Sequence, residues 1–141
     1  MSRRLAREAV MCLLYEREIQ GEKIEGTLQE MEDVLHTSRI IDKQGEYIDS
    51  VMGAFDAHQE ETDAMIEKYS RDWSFDRISK VDLSILRLSV IELVYLRDIP
   101  VRVSVNEAVE LAKKYSDDKS PSFINGILAS VIAECREEEA E

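Results

Sequence analysis

Apolar residues recur at helical spacing along this chain, and no stretch alternates as a strand would. Leu5, Ala9, Val10, Leu13 and Leu14 mark one face of a helix from about Ser2 to Ile19. Gly21 and Gly26 bracket a turn, and Leu28, Met31, Val34 and Leu35 carry a second helix to about Thr37. Ile48, Val51, Met52 and Phe55 share a face in a region that starts near Asp42. It continues through Met65, Ile66 and Tyr69, either as one long helix or as two broken near His58. After a short apolar connection at Trp73, Phe75 and Ile78 comes a helix from about Val81 to Arg97, with Ser79 and Asp82 as a capping-box variant. Its apolar residues, Leu83 through Leu96, wrap most of the circumference, which predicts a buried central rod. Arg87 and Glu92 lie within that rod. Buried charges are costly unless paired, so both are read as internal ties between helices.

The last third carries two helix-start signals. Asp98-Ile99-Pro100 ends the rod, and Val101 to Val103 read as an extended link. Ser104 and Glu107 then form a capping box at the head of a helix presenting Val105, Ala108, Val109, Ala112 and Tyr115. Ser120 with Pro121 behind it reads as an N-cap and a first-turn proline, opening a helix that buries Ile124, Ile127, Leu128 and Val131. Gly126 falls inside that helix, where glycine costs about 1 kcal/mol relative to alanine. Its expected reason is close passage of a neighbouring helix. With two prolines, five glycines and no linker in 141 residues, the chain reads as one all-α domain with an acidic tail over residues 136–141.

The formal net charge of −12 opposes nucleic-acid binding at first sight, but the charge is unevenly spread. Residues 16–36 hold seven acids against two bases, and residues 97–119 are balanced at five of each. Arg3, Arg4 and Arg7 stand together at the head of the first helix with no acid among them. Cations there oppose the helix dipole, so local stability does not explain them; an anionic partner does. A small basic spot on an acidic body suits a protein that binds one RNA site and avoids RNA in general.

Chemistry for catalysis is missing from the pattern. There is no Gly-rich phosphate loop, H-E-x-x-H, C-x-x-C or nucleophile elbow. Asp33 and His36 are spaced as a helical pair, but a di-metal bundle needs two Glu-x-x-His pairs and two more carboxylates, so they read as surface residues. Cys12 and Cys135 lack metal-ligand spacing and read as reduced core or boundary residues. No apolar run reaches the roughly 18 residues of a membrane helix, and the start shows no signal-peptide pattern. Neither an enzyme, a cofactor nor a metal is expected.

Four ordered blocks carry a resemblance: Arg4 to Ala9, Lys80 to Leu88, Ser104 to Lys113 and Ser120 to Leu128. Together they resemble the NusB family of bacterial transcription antitermination factors, most strongly from Trp73 to Leu128. The resemblance implies an all-α bundle of about seven helices in two packed subdomains, about 1–70 and 71–135. It implies binding of single-stranded boxA RNA together with NusE, a small-subunit ribosomal protein. The pair would act on RNA polymerase during ribosomal RNA transcription, in the cytoplasm. Carried onto this chain, it puts Arg3, Arg4 and Arg7 on RNA phosphates and adds Lys119, just before Ser120, as a candidate RNA contact. Phe123 is either a base-stacking platform or a core anchor. Tyr15, Asp76 and Asp82 face NusE, with Asp82 also serving as a capping residue, while Asn106, Glu107, Asn125 and Gly126 are structural. Two other readings remain open: a NusB-like RNA-binding domain of a ribosomal RNA cytosine methyltransferase, which requires a further catalytic domain, and a scaffold for protein contacts alone.

Overall fold

In a computed structural model, residues 3–20, 40–71 and 74–135 are described. They form five α-helices and one 3₁₀ turn, and no strand occurs among them. Helix α1 spans Arg3–Gln20, α2 Ile40–Tyr69, α3 Lys80–Tyr95, α4 Val101–Tyr115 and α5 Ser120–Cys135. The 3₁₀ turn is Phe75–Arg77. The second helix expected over Leu28 to Thr37, Asp33 and His36 with it, lies outside the described residues. So do Trp73 and the tail over 136–141.

Helix α3 is the rod that its all-round apolar pattern predicts. Every residue from Asp82 to Leu93 is buried, and α3 packs against all four other helices. Leu83, Ile85, Leu86, Leu88, Val90, Ile91 and Leu93 join a single apolar cluster with Ala6, Leu14, Phe55, Ile66, Ile124 and Leu128. Burying each such large side chain contributes about 1.5–3 kcal/mol, so this cluster is the main source of stability. The helix opens at Ser79, whose hydroxyl accepts the Asp82 backbone N–H at 3.1 Å.

Residues 40–69 run as two helical stretches joined at a kink at His58, together designated α2. His58 has non-helical dihedrals, φ −131° and ψ 28°, and its ring stacks on Tyr95 at 4.1 Å. The stack fixes the bend of α2 against the end of α3. Beyond α2, Arg71 takes the left-handed conformation, φ 50°, which ends a helix but suits glycine better than arginine.

Three expectations are corrected. Helix α4 begins at Val101 behind Pro100, so Val101 to Val103 are helical and Ser104 lies inside the helix. Pro100 is the N-cap, with φ −59° and ψ 138°, and its carbonyl accepts the backbone N–H groups of Val103 and Ser104 at 3.0 and 3.3 Å, so the start falls one turn earlier than the S-x-x-E pattern suggests. Ser104 is buried and donates instead to Glu92 at 2.8 Å. At α5, Ser120 is not the cap: the Asp117 carboxylate accepts the backbone N–H groups of Lys119 and Ser120 at 2.9 and 3.0 Å. Gly126 is exposed, and a Cβ built there meets nothing within 4 Å, so no helix passes close to it. Asn106 and Asn125, expected to be structural, are exposed as well.

Candidate functional site

The three N-terminal arginines fall within the first two turns of α1, yet the fold separates them. Arg3 and Arg4 are exposed. Arg3 donates to Gln44 at 2.6 Å and lies 4.3 Å over the Tyr47 ring. Arg4 grips the Glu107 carboxylate of α4 through Nε at 2.9 Å and Nη2 at 3.3 Å. Arg7 points inward. Its side chain is 5% exposed and forks onto Glu92 of α3 through Nε at 2.8 Å and Nη2 at 3.1 Å. The expectation that Arg7 contacts phosphate is corrected accordingly: its guanidinium is spent on a buried carboxylate.

Glu92 is the hub of this region. It also accepts the hydroxyl protons of Tyr47 and of Ser104, so one carboxylate ties α1, α2, α3 and α4. Burial pulls the Arg7 pKa down, but its bonds to Glu92 more than offset that, and the net shift is upward. Burial and then the Glu92 charge push the Tyr47 hydroxyl far up, which keeps it a donor. Glu107 lies between the inner and outer arginines, 3.9 Å from Arg7 Nη1. Three guanidinium charges stand against the carboxylates of Glu92 and Glu107, and the charge of Glu110 also bears on Arg4.

Arg87, five residues before Glu92, anchors the second charge centre. It forks onto Asp63 of α2 at 2.8 Å and donates to Glu18 of α1 at 2.7 Å, and it lies near the Phe55 ring. Both charges within the rod are thus paired, by groups 24 to 85 positions away in sequence.

Two surface concavities hold the remaining candidates. A cleft of about 250 Å³ between the 3₁₀ turn and the α4–α5 junction is lined by Arg77, Ser79, Asp82, Asp117, Lys119 and Phe123, among others. Phe123 is half-buried against the core with one side on the cleft, and Lys119 is exposed at its rim. Asp82 is buried at the floor, where it accepts from the hydroxyls of Ser116 and Ser120 at 2.6 and 2.9 Å. That corrects its expected outward-facing role, and neither bond returns to Ser79. Asp76, on the 3₁₀ turn, is exposed.

The second concavity is an apolar groove of about 190 Å³, lined by Met11, Cys12, Tyr15, Val81, Ser84 and Tyr115 from α1, α3 and α4. Tyr15, Ile19 and Tyr115 are the exposed large hydrophobics among the described residues, at 41%, 54% and 39%. Burial and the charges of Glu8 and Glu16 push the Cys12 thiol up, so it behaves as groove lining and not as a nucleophile. Sequence patterning placed Tyr115 among the apolar positions of its helix and passed over Arg77 and Tyr47. The stripe continues to Tyr115 in register, but only the helix ends show that the ring stays partly in solvent.

A basic-tipped, acidic all-helical bundle with an apolar groove is the build of a nucleic-acid and protein adaptor. The NusB family model matches residues 4–133, and the chain belongs to the NusB family. Transcription antitermination protein NusB of Alkaliphilus oremlandii is 45% identical over 132 residues, 94% of each chain. Among solved structures, T. maritima NusB matches with a TM-score of 0.80 and 32% identity, over 99% of this chain and 97% of that one. The crystal structure of antitermination factors NusB and NusE in complex with dsRNA matches with a TM-score of 0.79 and 30% identity, over 94% and 96%. The relatives are named for a role in transcription, not for an enzymatic activity. Among the described residues, no helix is long and apolar enough to cross a membrane, and no group of His, Cys, Asp or Glu is arranged to hold a metal.

Proposed function

We propose that this protein is a transcription antitermination factor that binds boxA RNA jointly with NusE and acts on RNA polymerase during ribosomal RNA synthesis, in the cytoplasm. The observation that carries this reading is the likeness, over nearly the whole chain, to a NusB solved with NusE and RNA. Arg3 and Arg4 then supply phosphate contacts at the head of α1, and Lys119 and Phe123 add a cation and an aromatic face at the cleft. NusE takes the groove at Tyr15, where exposed aromatic and apolar surface awaits a partner, with Asp76 on the flank. An acidic chain of net charge −12 attracts a basic ribosomal protein and speeds its docking. Asp82 supports the cleft from within.

The test is fluorescence anisotropy of labelled boxA RNA titrated with this protein, with NusE and with both. Joint binding much tighter than either alone is the expected result. Binding no tighter with both than with NusE alone would overturn the reading.

A further inference from the structure

An arginine-rich RNA face on an acidic protein has a selectivity problem, since free guanidinium groups attract any polyanion. Here the outer arginine of α1 is already held. Arg4, with 63% of its side chain in solvent, is forked onto Glu107, whose own side chain is only 17% exposed. Glu107 is anchored on α4 within 3.9 Å of buried Arg7, so it is fixed in place from behind. Both helices are held to the hub at Glu92, through Arg7 and through Ser104. The carboxylate is therefore a fixed part of the arginine face and not a passing surface contact.

We infer that Glu107 is a selectivity determinant: it holds the charge of Arg4 and so keeps this protein, on its own, from gripping single-stranded RNA at large. A phosphate that reaches Arg4 must also approach the Glu107 carboxylate and replace it as partner. Only an RNA already positioned by further contacts gains enough to do so. Glu107 acts through Arg4, so it is a positioning residue and does not itself contact RNA. The inference rests on the functional reading above in one respect, that RNA is the ligand of this face.

The test uses a labelled uridine oligomer, with no NusE present, over a series of salt concentrations. Glu107→Gln is expected to bind about two- to fivefold tighter than the parent, the scale of one surface ion pair released. Its slope of log affinity against log salt should steepen by about 0.7, one added phosphate contact. Damage to the fold would weaken binding, so a gain separates this role from a structural one. Glu107→Asp should match the parent, and adding Arg4→Ala to Glu107→Gln should abolish the gain. Unchanged or weaker binding by folded Glu107→Gln, or a gain that survives Arg4→Ala, would each overturn the inference. Failure of the boxA and NusE titration in the parent instead sinks the functional reading, and the two outcomes are read from separate ligands.

Discussion

Arg87 and Glu92 sit five residues apart on one buried helix, and both are almost wholly enclosed, yet the centres built on them differ in kind. Around Glu92 the enclosure is complete: Arg7 is 5% exposed and Glu92 1%, with two hydroxyl donors closing the remaining sides. Around Arg87 the partners are half-wet, Glu18 at 23% and Asp63 at 21% exposed, and Glu18 also takes Lys80. Water can stand in for a lost partner at the second centre and not at the first. The same pairing of charges is therefore a rigid joint at one end of α1 and an adjustable one at the other. The rigid joint lies directly behind the arginine face, where a fixed geometry is needed to hold Glu107 and Arg4.

The largest effect expected from this difference is at Glu92. Glu92→Ala strands the buried Arg7 charge and should cost about 3–5 kcal/mol in denaturant unfolding. A loss no larger than that of a partner at the Arg87 centre would erase the distinction. Asp63→Asn leaves Arg87 with Glu18 and solvent, and should cost about 1–2 kcal/mol by the same measurement.

Away from both centres, Gly126→Ala should raise stability by about 0.5–1 kcal/mol, since the new methyl group meets open space and alanine favours the helix. A thermal melt showing destabilisation would mean that α5 has a neighbour at this position after all.

The smallest effect is a pH dependence at Glu18. Burial raises its pKa, but the bonds from Arg87 and Lys80 outweigh burial and hold it below the ordinary glutamate value. A depressed carboxylate contributes stability that is present above its unfolded pKa and lost as pH falls through the folded one. Glu18→Gln should be less stable than the parent by about 0.5 kcal/mol near neutrality. That gap should close as pH falls from about 5 towards 3 in equilibrium unfolding. A constant gap across that range would remove Glu18 from the charge centre.

Helical periodicity was enough to read α3 as the buried rod, because a helix that is apolar all round has only one place to go. The Ser79 start was legible for a similar reason: a cap is a local bond between residues three apart. The fate of Arg7 was not legible. Its partner lies 85 positions away, and nothing in its own turn distinguishes it from Arg3 and Arg4. Ser104 and Glu107 misled because the capping-box spacing also places two residues on one helix face. Here that face turns Ser104 inward to Glu92 and sets Glu107 beside Arg4. Gly126 had no packing counterpart to find, and the structure gives no reason for a glycine there.

The division of the arginines into an inner tie and an outer RNA face is the centre of this account, and one measurement addresses it directly. It is the salt dependence of boxA RNA affinity in the presence of saturating NusE, for the parent and for the Arg3→Ala/Arg4→Ala double variant. Two lost phosphate contacts on a single strand should make the slope shallower by about 1.4 and weaken binding, with the fold retained. Equal slopes and equal affinities would contradict the account and return both outer arginines to the ordinary solvated surface.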